Sequence, residues 1–316
     1  MILMSSLSIV GAATVVVSYL NLSQMRSKKY YELLFYVALS TCLSSIGSAM
    51  GIVRDGSALC WFQGITTNVF TLSSIFWTVL LTQSLHVVMT TATLMNIFAW
   101  MHVFCWILPV FLSLLPLAEL EYGSEGKEWC FFQGVDDSVP TWRERLWDWI
   151  GFYMWVFGSV LMILAILCDI KRRDVTTIVN KEVFGVMLKK LQYYPIVIFV
   201  CWLPACIFDS MVSTPSGYES DEQWLLALDL ITNSLACSHG LFVAIIFWSQ
   251  NPEVLDWWTA KNPRLISTDS SSSGVVHVSQ KKLFDAYIED GDPGGRESTA
   301  SEIAFELFHT DRTRYT

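Results

Sequence analysis

Residues 60–85 read CWFQGITTNVFTLSSIFWTVLLTQSL, a run with no acidic or basic side chain. An α-helix rises about 1.5 Å per residue, so about 20 apolar residues cross the hydrocarbon core of a bilayer. Six more apolar runs of similar length lie at 2–22, 33–54, 98–118, 148–170, 190–213 and 223–248. Core helices of soluble proteins are normally shorter and carry a polar face. The sequence therefore predicts an all-α membrane protein, a seven-transmembrane helix bundle whose runs we number helix 1 to helix 7.

The basic residues predict the orientation of this bundle in the lipid bilayer. The loops on one side carry Arg26, Lys28, Lys29, Lys171, Arg172, Arg173, Lys181, Lys189, Lys190, Lys261 and Arg264. The opposite loops carry Arg54, Lys127, Arg143 and Arg145. Cytoplasmic loops are the basic ones, so we expect the N-terminus outside and the C-terminus in the cytoplasm. The first run has no basic residues before it, unlike a signal peptide, and is interpreted as helix 1.

The formal net charge of −9 is not a nucleic-acid signal, since such proteins present a basic surface. Much of it falls in the predicted outer loops, where the acidic residues are Asp55, Glu119, Glu121, Glu125, Glu128, Asp136, Asp137, Glu144, Asp148, Glu219, Asp221 and Glu222. With the four basic residues there, the local net charge is −8. These loops are either ordinary solvated surface or an outer vestibule that concentrates cations, because loops of one sign focus the potential over a cleft.

Two of the eight cysteines differ in position from the rest. Cys60 begins helix 3 on the outer side, and Cys130 lies in the long loop between helices 4 and 5. Both face an oxidising compartment, where disulfides persist. We expect a bridge that ties this loop across the bundle, with two unpaired thiols as the alternative. The other six lie within apolar runs, where cysteine acts as a small hydrophobic residue.

Polar residues inside membrane helices are costly and often functional. The candidate ligand-binding residues are Arg54, Asn68, Asp209, Asp229 and Asn233. Asp229 and Asn233 recur at helical spacing on one face of helix 7, and Arg54 is a candidate counter-charge. Two interpretations remain open for the Asp229–Asn233 pair: a structural hydrogen bond that holds helix 7 to a neighbour, or a ligand or gating site in the outer third of the bundle.

Residues 201–204 of helix 6, Cys-Trp-Leu-Pro, predict a kink. Pro204 removes one backbone hydrogen bond in mid-helix. A kinked helix 6 can swing its cytoplasmic end while its outer end contacts a ligand. Gly240 permits close helix contact in helix 7. Trp202, Pro204 and Gly240 are therefore candidate switch residues, a pattern that favours a switch over a fixed pore.

Enzyme motifs are absent from the sequence: it has no Gly-rich phosphate loop, no nucleophile elbow and no His-Glu-x-x-His. The histidines at 86, 102 and 239 lack the spacing of metal ligands. No lysine lies between Lys190 and Lys261, so helix 7 cannot hold retinal as a Schiff base. We expect no enzymatic activity, no metal site and no cofactor.

The sequence changes character after helix 7. Residues 251–258, NPEVLDWW, pair two tryptophans with charged residues, which favours a short interfacial helix 8. The low hydrophobicity that follows predicts a disordered tail. We therefore expect a seven-helix domain at 1–258 and a Ser-rich cytoplasmic tail at 259–316. Its candidate phosphorylation sites are Ser267, Thr268, Ser270, Ser271, Ser272 and Ser273.

Several segments carry a family resemblance. They are FYVALSTCLSSI at 35–46, CWFQG at 60–64, FWT at 76–78, YP at 194–195, CWLP at 201–204 and SHGLF at 238–242. In this order they resemble the cyclic-AMP-receptor-like family of G-protein-coupled receptors, named for slime-mould chemotactic receptors. SHGLF, followed by NPEV at 251–254, is also similar to helix 7 of secretin-type receptors. The resemblance spans the seven helices but not the tail.

The resemblance implies a plasma-membrane receptor that senses an extracellular ligand and activates a heterotrimeric G protein, and it also supports the Cys60–Cys130 bridge. The chain departs from the family at Asp209, where an Asn-Arg pair is expected. Helix 2 reads Ser40-Thr41 where an acidic residue is common, and helix 3 ends without an Asp/Glu-Arg-Tyr motif. Since cyclic AMP is an anion, Asp209 below an acidic vestibule favours a cationic or neutral ligand. A seven-helix transporter or scaffold without G-protein coupling is the alternative.

Two expectations concern the cytoplasmic side. Outward movement of helix 6 would leave Arg172, Arg173, Lys189 and Lys190 bordering the G-protein site, although these residues also serve to set the topology. Phosphates on the serine cluster would each add about −1.5 to −2 charges. We expect a kinase and an arrestin-like protein to act there, with a plain disordered linker as the alternative.

Overall fold

The computed structural model describes residues 1–26, 29–54, 56–90, 98–123, 130–134, 141–172, 191–212 and 223–261. Six helices are each long and apolar enough to cross a membrane, and a seventh span consists of two segments that meet at a bend of 47°. The protein is a seven-helix membrane bundle, as the sequence predicts. The orientation of its termini stays a prediction.

The membrane spans differ in regularity. Helix 1 is Ile2–Asn21, helix 2 is Lys29–Ala49 and helix 3 is Ala58–Thr90, with a short helical turn at Ser23–Arg26. Helix 4 comprises Phe98–His102, a π-helical Val103–Ile107, Leu108–Leu114 and a 3₁₀ turn at Leu115–Ala118. Helix 5 comprises Thr141–Asp148, a π-helical Trp149–Tyr153 and Met154–Arg172. Helix 6 comprises Tyr193–Cys201 and Leu203–Val212, helix 7 comprises Gln223–Cys237 and His239–Gln250, and helix 8 is Pro252–Lys261.

Several helix boundaries differ from those predicted. Helix 2 stops at Ala49, five residues before the predicted end, and Gly51 (φ 68°) follows in the left-handed region that ends helices. Arg54 therefore lies in a loop. Helix 5 begins at Thr141, so Arg143 and Arg145 are helical rather than loop residues. Hydropathy locates the membrane-embedded part of a helix, whereas backbone hydrogen bonding continues into polar sequence.

Helix 3 lies at the centre of the bundle. In its most apolar window 72% of the residues are buried, against 50% or less in helices 1, 2, 4, 5 and 6. Leu72, Ile75 and Trp77 are each completely buried. The core of the bundle is thus built around this one uncharged run.

Small residues bring helices 1 and 7 together. A Cβ at Gly240 would lie 2.5 Å from Ser8 Oγ, and a Cβ at Gly11 would lie 3.1 Å from both Ala244 Cβ and Gly240 O. The Gly240 backbone N–H also donates to Ser8 Oγ at 2.8 Å. The close helix contact that the sequence predicts for Gly240 is present, and its partner is helix 1.

Helix 8 follows helix 7 as predicted. Tyr31 of helix 2 donates its hydroxyl to Asn251 Oδ1 at 2.6 Å, and Trp258 Nε1 donates to Ser18 Oγ of helix 1 at 2.8 Å. Val254 is completely buried between them. These contacts fix helix 8 to helices 1 and 2.

Candidate functional site

A two-stranded hairpin follows helix 4, and the sequence analysis does not predict it. Strand β1 (Leu120–Gly123) pairs antiparallel with β2 (Phe131–Gly134), Tyr122 opposite Phe132. The predicted Cys60–Cys130 disulfide is present, with an S–S distance of 1.99 Å, and both cysteines are buried. The bridge attaches β2 to the end of helix 3 that is predicted to be outer.

Gln63, one turn into helix 3, supports this attachment. Its Nε2 donates to the carbonyls of Gly47 (3.2 Å) and Gly51 (2.8 Å), while its Oε1 accepts from the Cys130 N–H at 3.1 Å. The side chain is completely buried. Gln63 thereby joins the end of helix 2, helix 3 and the hairpin, a role that its place in the CWFQG motif could have suggested.

Tyr122 attaches the first strand of the hairpin to helices 3 and 4. Its hydroxyl donates to Ser113 O of helix 4 at 3.0 Å, and its ring lies where a Cβ on Gly64 would be. Burial raises the pKa of Tyr122 above its ordinary value, an effect that Asn68 and Ser113 partly oppose. The Asn68 side chain is 2% exposed, and neither of its amide atoms meets hydrogen-bond geometry with any described group. The candidate Asn68 therefore lies beside the hairpin.

A series of ring contacts leads from the hairpin into the bundle. Phe131 of β2 lies 5.8 Å from Phe152 of helix 5, and Phe152 lies 5.8 Å from Trp202 of helix 6. Trp202 Nε1 then donates to His239 Nδ1 of helix 7 at 3.3 Å. We call Phe131, Phe152, Trp202 and His239 the aromatic path. Phe152 belongs to the π-helical turn of helix 5, an irregularity that is frequent at functional sites.

The candidate carboxylates have neighbours within the bundle. The Tyr153 hydroxyl of helix 5 donates to Asp209 Oδ2 at 3.3 Å. On helix 7, Asn233 Nδ2 donates to Asp229 Oδ1 at 2.8 Å. The structure thus joins Asp229 to Asn233 and places Asp209 against helix 5. Tyr153 is absent from the sequence-based candidates, although it is a polar group within an apolar run.

The basic candidates on the predicted outer side differ from one another in their surroundings. Arg54 is exposed, and the three ion pairs within the described ranges do not include one between Arg54 and Asp229. Arg143 pairs with Glu119 at 2.8 Å. Lys127 lies outside the described residues. No group of three or more His, Cys, Asp or Glu side chains in the described part of the chain could hold a metal ion.

Helices 6 and 7 are both interrupted near the inner end of the aromatic path. Helix 6 breaks at Trp202, two residues before Pro204, which has no N–H for the carbonyl one turn earlier. Helix 7 breaks at Ser238, where it bends by 47° without a proline, a feature that sequence reasoning missed. The Trp202–His239 hydrogen bond joins the two breaks.

Few of the cytoplasmic candidates can be placed. Arg172 ends helix 5 with an exposed side chain. Arg173, Lys189, Lys190 and the cluster at 267–273 lie outside the described residues, so their roles stay predictions.

Comparison with known proteins gives consistent results. A family model described as slime mold cyclic AMP receptor matches residues 1–286, past helix 8 into the predicted tail. The chain is 26% identical over 233 residues to Cyclic AMP receptor-like protein A of Dictyostelium discoideum, a match covering 73% of this chain and 59% of that protein. It is 27% identical over 251 residues to G-protein coupled receptor 1 of Arabidopsis thaliana, covering 77% and 74%.

The fold is also similar to a solved structure. Squid rhodopsin superimposes with a TM-score of 0.65 over 93% of this chain and 90% of its own. At 13% identity this likeness concerns the fold alone.

Proposed function

The chain belongs to the slime mold cyclic AMP receptor family and is a multi-pass cell-surface receptor of the G-protein-coupled type, and we propose that it activates a heterotrimeric G protein through movement of helix 6. The observation that carries this proposal is the Trp202–His239 hydrogen bond, which joins the breaks of helices 6 and 7. Because one side-chain contact joins the two breaks, a change in the helix angle at one break can alter the angle at the other. A regular helix would resist such a change.

The aromatic path supplies a route from the outer face to these breaks. A ligand that displaces Phe131 or the π-helical turn of helix 5 would move Phe152 against Trp202. Aromatic pairs are stable in both offset-stacked and edge-to-face arrangements, so rings can change from one contact to another at small cost. The Tyr193–Cys201 segment of helix 6 can then tilt relative to Leu203–Val212, since Pro204 leaves one backbone hydrogen bond unmade.

We propose that the ligand is cationic or neutral and rich in hydrogen-bond donors. A carboxylate only accepts hydrogen bonds, so the bond to Asp229 must come from the Asn233 NH₂ group and fixes the orientation of that amide. The amide oxygen of Asn233, its Oδ1, then remains available as an acceptor. This oxygen is buried and has no hydrogen-bond partner in the described part of the protein. A donor-rich ligand such as an amine would satisfy the Asn233 oxygen, and the carboxylates of Asp209 and Asp229 would attract its positive charge.

An anionic ligand fits these features less well. The phosphate of a cyclic nucleotide would approach Asp209 and Asp229, and a convergent set of Arg54, Lys127, Arg143 and Arg145 would be needed to offset the repulsion. Arg143 is already engaged by Glu119. We therefore propose Asp209, Asp229, Asn233 and Asn68 as ligand contacts, with Arg54 at the rim.

A binding panel tests the ligand proposal. Cyclic AMP, cyclic GMP, amines and basic peptides should be screened on receptor-expressing cells with a promiscuous G protein as readout. We expect activation by an amine or a basic peptide, reduced at least about tenfold in potency by Asp209→Asn or Asp229→Asn, since hydrogen bonds to charged groups contribute about 1.5–3 kcal/mol.

Asp256→Asn, an exposed carboxylate on helix 8, is the matched control. Saturable cyclic-nucleotide binding that is lost in Arg54→Ala would contradict the ligand proposal. Ligand binding without nucleotide exchange on any Gα subunit would instead support a receptor-like scaffold.

On the cytoplasmic side we propose that Arg172, with Arg173, Lys189 and Lys190, borders the G-protein site. The exposed end of helix 5 at Arg172 supports this. We keep the kinase and arrestin-like partners of the 267–273 cluster as proposals from the sequence.

A further inference from the structure

One ion pair connects helices 3 and 5 at the side predicted to be cytoplasmic. His86 Nε2 and Asp169 Oδ2 are 2.6 Å apart, although 83 residues separate them in the chain. Two other ion pairs occur in the described ranges. Lys29–Glu32 lies within helix 2, and Arg143–Glu119 lies at the outer end of helix 5. Among the described pairs, only His86–Asp169 bridges two membrane helices at their inner ends.

Both residues lie at the ends of buried helix faces. His86 follows Thr82 by one turn on helix 3, and Thr82 is buried. Asp169 lies between the buried residues Ile166 and Ile170 of helix 5. The His86 and Asp169 side chains are 20% and 42% exposed. Asp169 lies three residues before Arg172, which ends helix 5, so the helices can separate here without leaving a charge deep in the hydrocarbon region.

We propose that the His86–Asp169 pair holds the inner ends of helices 3 and 5 together in the resting receptor and breaks when the G-protein cleft opens. The role in activation rests on the G-protein coupling proposed above. A cleft between the inner ends of helices 3, 5 and 6 cannot widen beside helix 3 while this bridge persists. The short His86–Asp169 contact thus supplies a polar restraint at the inner end of helix 3.

The free energy of the His86–Asp169 contact is small enough that the contact can break during activation. Partly exposed ion pairs contribute little free energy, so its loss should shift the closed–open equilibrium by roughly two- to fivefold. A restraint of that size is readily overcome by ligand or G-protein binding.

The first test measures basal nucleotide exchange at matched surface expression. His86→Gln and Asp169→Asn should each raise basal exchange roughly two- to fivefold, and the double variant should rise no further because one bond is lost in all three. His86→Lys places a hydrogen-bond donor and a positive charge opposite Asp169 and should stay near wild type. The exchanged pair His86→Asp with Asp169→His should restore low basal exchange. Glu32→Gln, which removes the ion pair within helix 2, is the matched control and should change nothing.

The second test does not depend on a G protein. Spin labels at Arg26→Cys and Lys171→Cys, both exposed at inner helix ends, report the position of helix 5 relative to helix 1 in nanodiscs. Cys42 and Cys168 are replaced by Ser in this background. In His86→Gln and Asp169→Asn we expect a longer or broader distance distribution, which returns to that of the parent in the exchanged pair.

The two measurements separate the proposals. Altered distances without nucleotide exchange on any Gα subunit would support the restraint and contradict the coupling. Unchanged distances in both single variants would overturn the restraint, whatever the exchange assay gives. If both single variants fail to reach the surface, the exchanged pair decides alone. High basal exchange or altered distances in a folded exchanged pair would show that contact between positions 86 and 169 does not keep the helices together, and the proposal would be wrong.

Discussion

Helices 1, 2, 3 and 7 are joined differently from helices 5 and 6. Hydrogen bonds of hydroxyl side chains link the first group: Ser45 to Ser8 at 2.9 Å, Thr41 to Ser74 at 2.7 Å, Ser44 to Thr71 at 2.6 Å, and the Gly240 N–H of helix 7 to Ser8 at 2.8 Å. Between helices 5 and 6 the described contacts include the Phe152–Trp202 ring contact and the longer Tyr153–Asp209 bond of 3.3 Å.

The difference follows from residue size and directionality. Small hydroxyl residues let helices approach closely and bond in one geometry, whereas large rings pack in several geometries of similar energy. We infer that helices 1, 2 and 3, with the His239–Gln250 segment of helix 7, form a fixed platform. Helices 5 and 6, with the Gln223–Cys237 segment of helix 7, form the side that moves. Three changes test this comparison.

The largest expected effect is on the attachment of the hairpin to the platform. Cys60→Ser or Cys130→Ser should lower stability by about 2–4 kcal/mol, because the bridge closes a loop of 70 residues. Surface delivery and thermal unfolding measure the loss. Cys168→Ser, at an exposed free cysteine, is the control and should behave as wild type. Detection of two free thiols at these positions by non-reducing mass spectrometry of folded receptor would contradict the prediction.

The contact between helices 1 and 7 should give the next largest effect. Gly240→Ala places a methyl group against Ser8, which should cost about 1–3 kcal/mol through overpacking. Gly158→Ala is the matched control, since a Cβ there meets no atom within 4 Å. Size-exclusion chromatography after heating reports both melting temperatures. Equal melting of the two variants would mean that helices 1 and 7 are not rigidly packed.

The smallest effect on stability is expected at the Trp202–His239 hydrogen bond, which joins the breaks of helices 6 and 7. Its loss should also change signalling. Trp202→Phe keeps a ring against Phe152 but removes the N–H that bonds His239, worth about 0.5–1.5 kcal/mol. We expect basal G-protein activation to change by about two- to tenfold while the melting temperature stays nearly constant. Trp155→Phe loses an indole bond to Ile150 O within helix 5 and serves as the control. A drop in stability with unchanged basal activity would place Trp202 in the platform instead.

The sequence was most informative where one-dimensional patterns have a direct physical cause. The length of the apolar runs is set by bilayer thickness, so all seven spans could be predicted. Helix 8 could be predicted because paired tryptophans with charged neighbours favour the membrane interface. Cys60 and Cys130 stood out because they alone were placed in outer, oxidising positions. The boundaries of helices 2 and 5 were wrong because helix ends follow backbone bonding and turns such as Gly51, rather than hydropathy.

By itself the sequence determined a seven-helix membrane protein with a disulfide at the face predicted to be outer, since bilayer thickness and charge cost act on each segment separately. Only the tertiary structure decided which groups meet: Gln63 with the hairpin, Trp202 with His239, and His86 with Asp169. These contacts join residues 37 to 83 positions apart. The packing and rotation of whole helices bring them together, and no local pattern along the chain encodes that rotation.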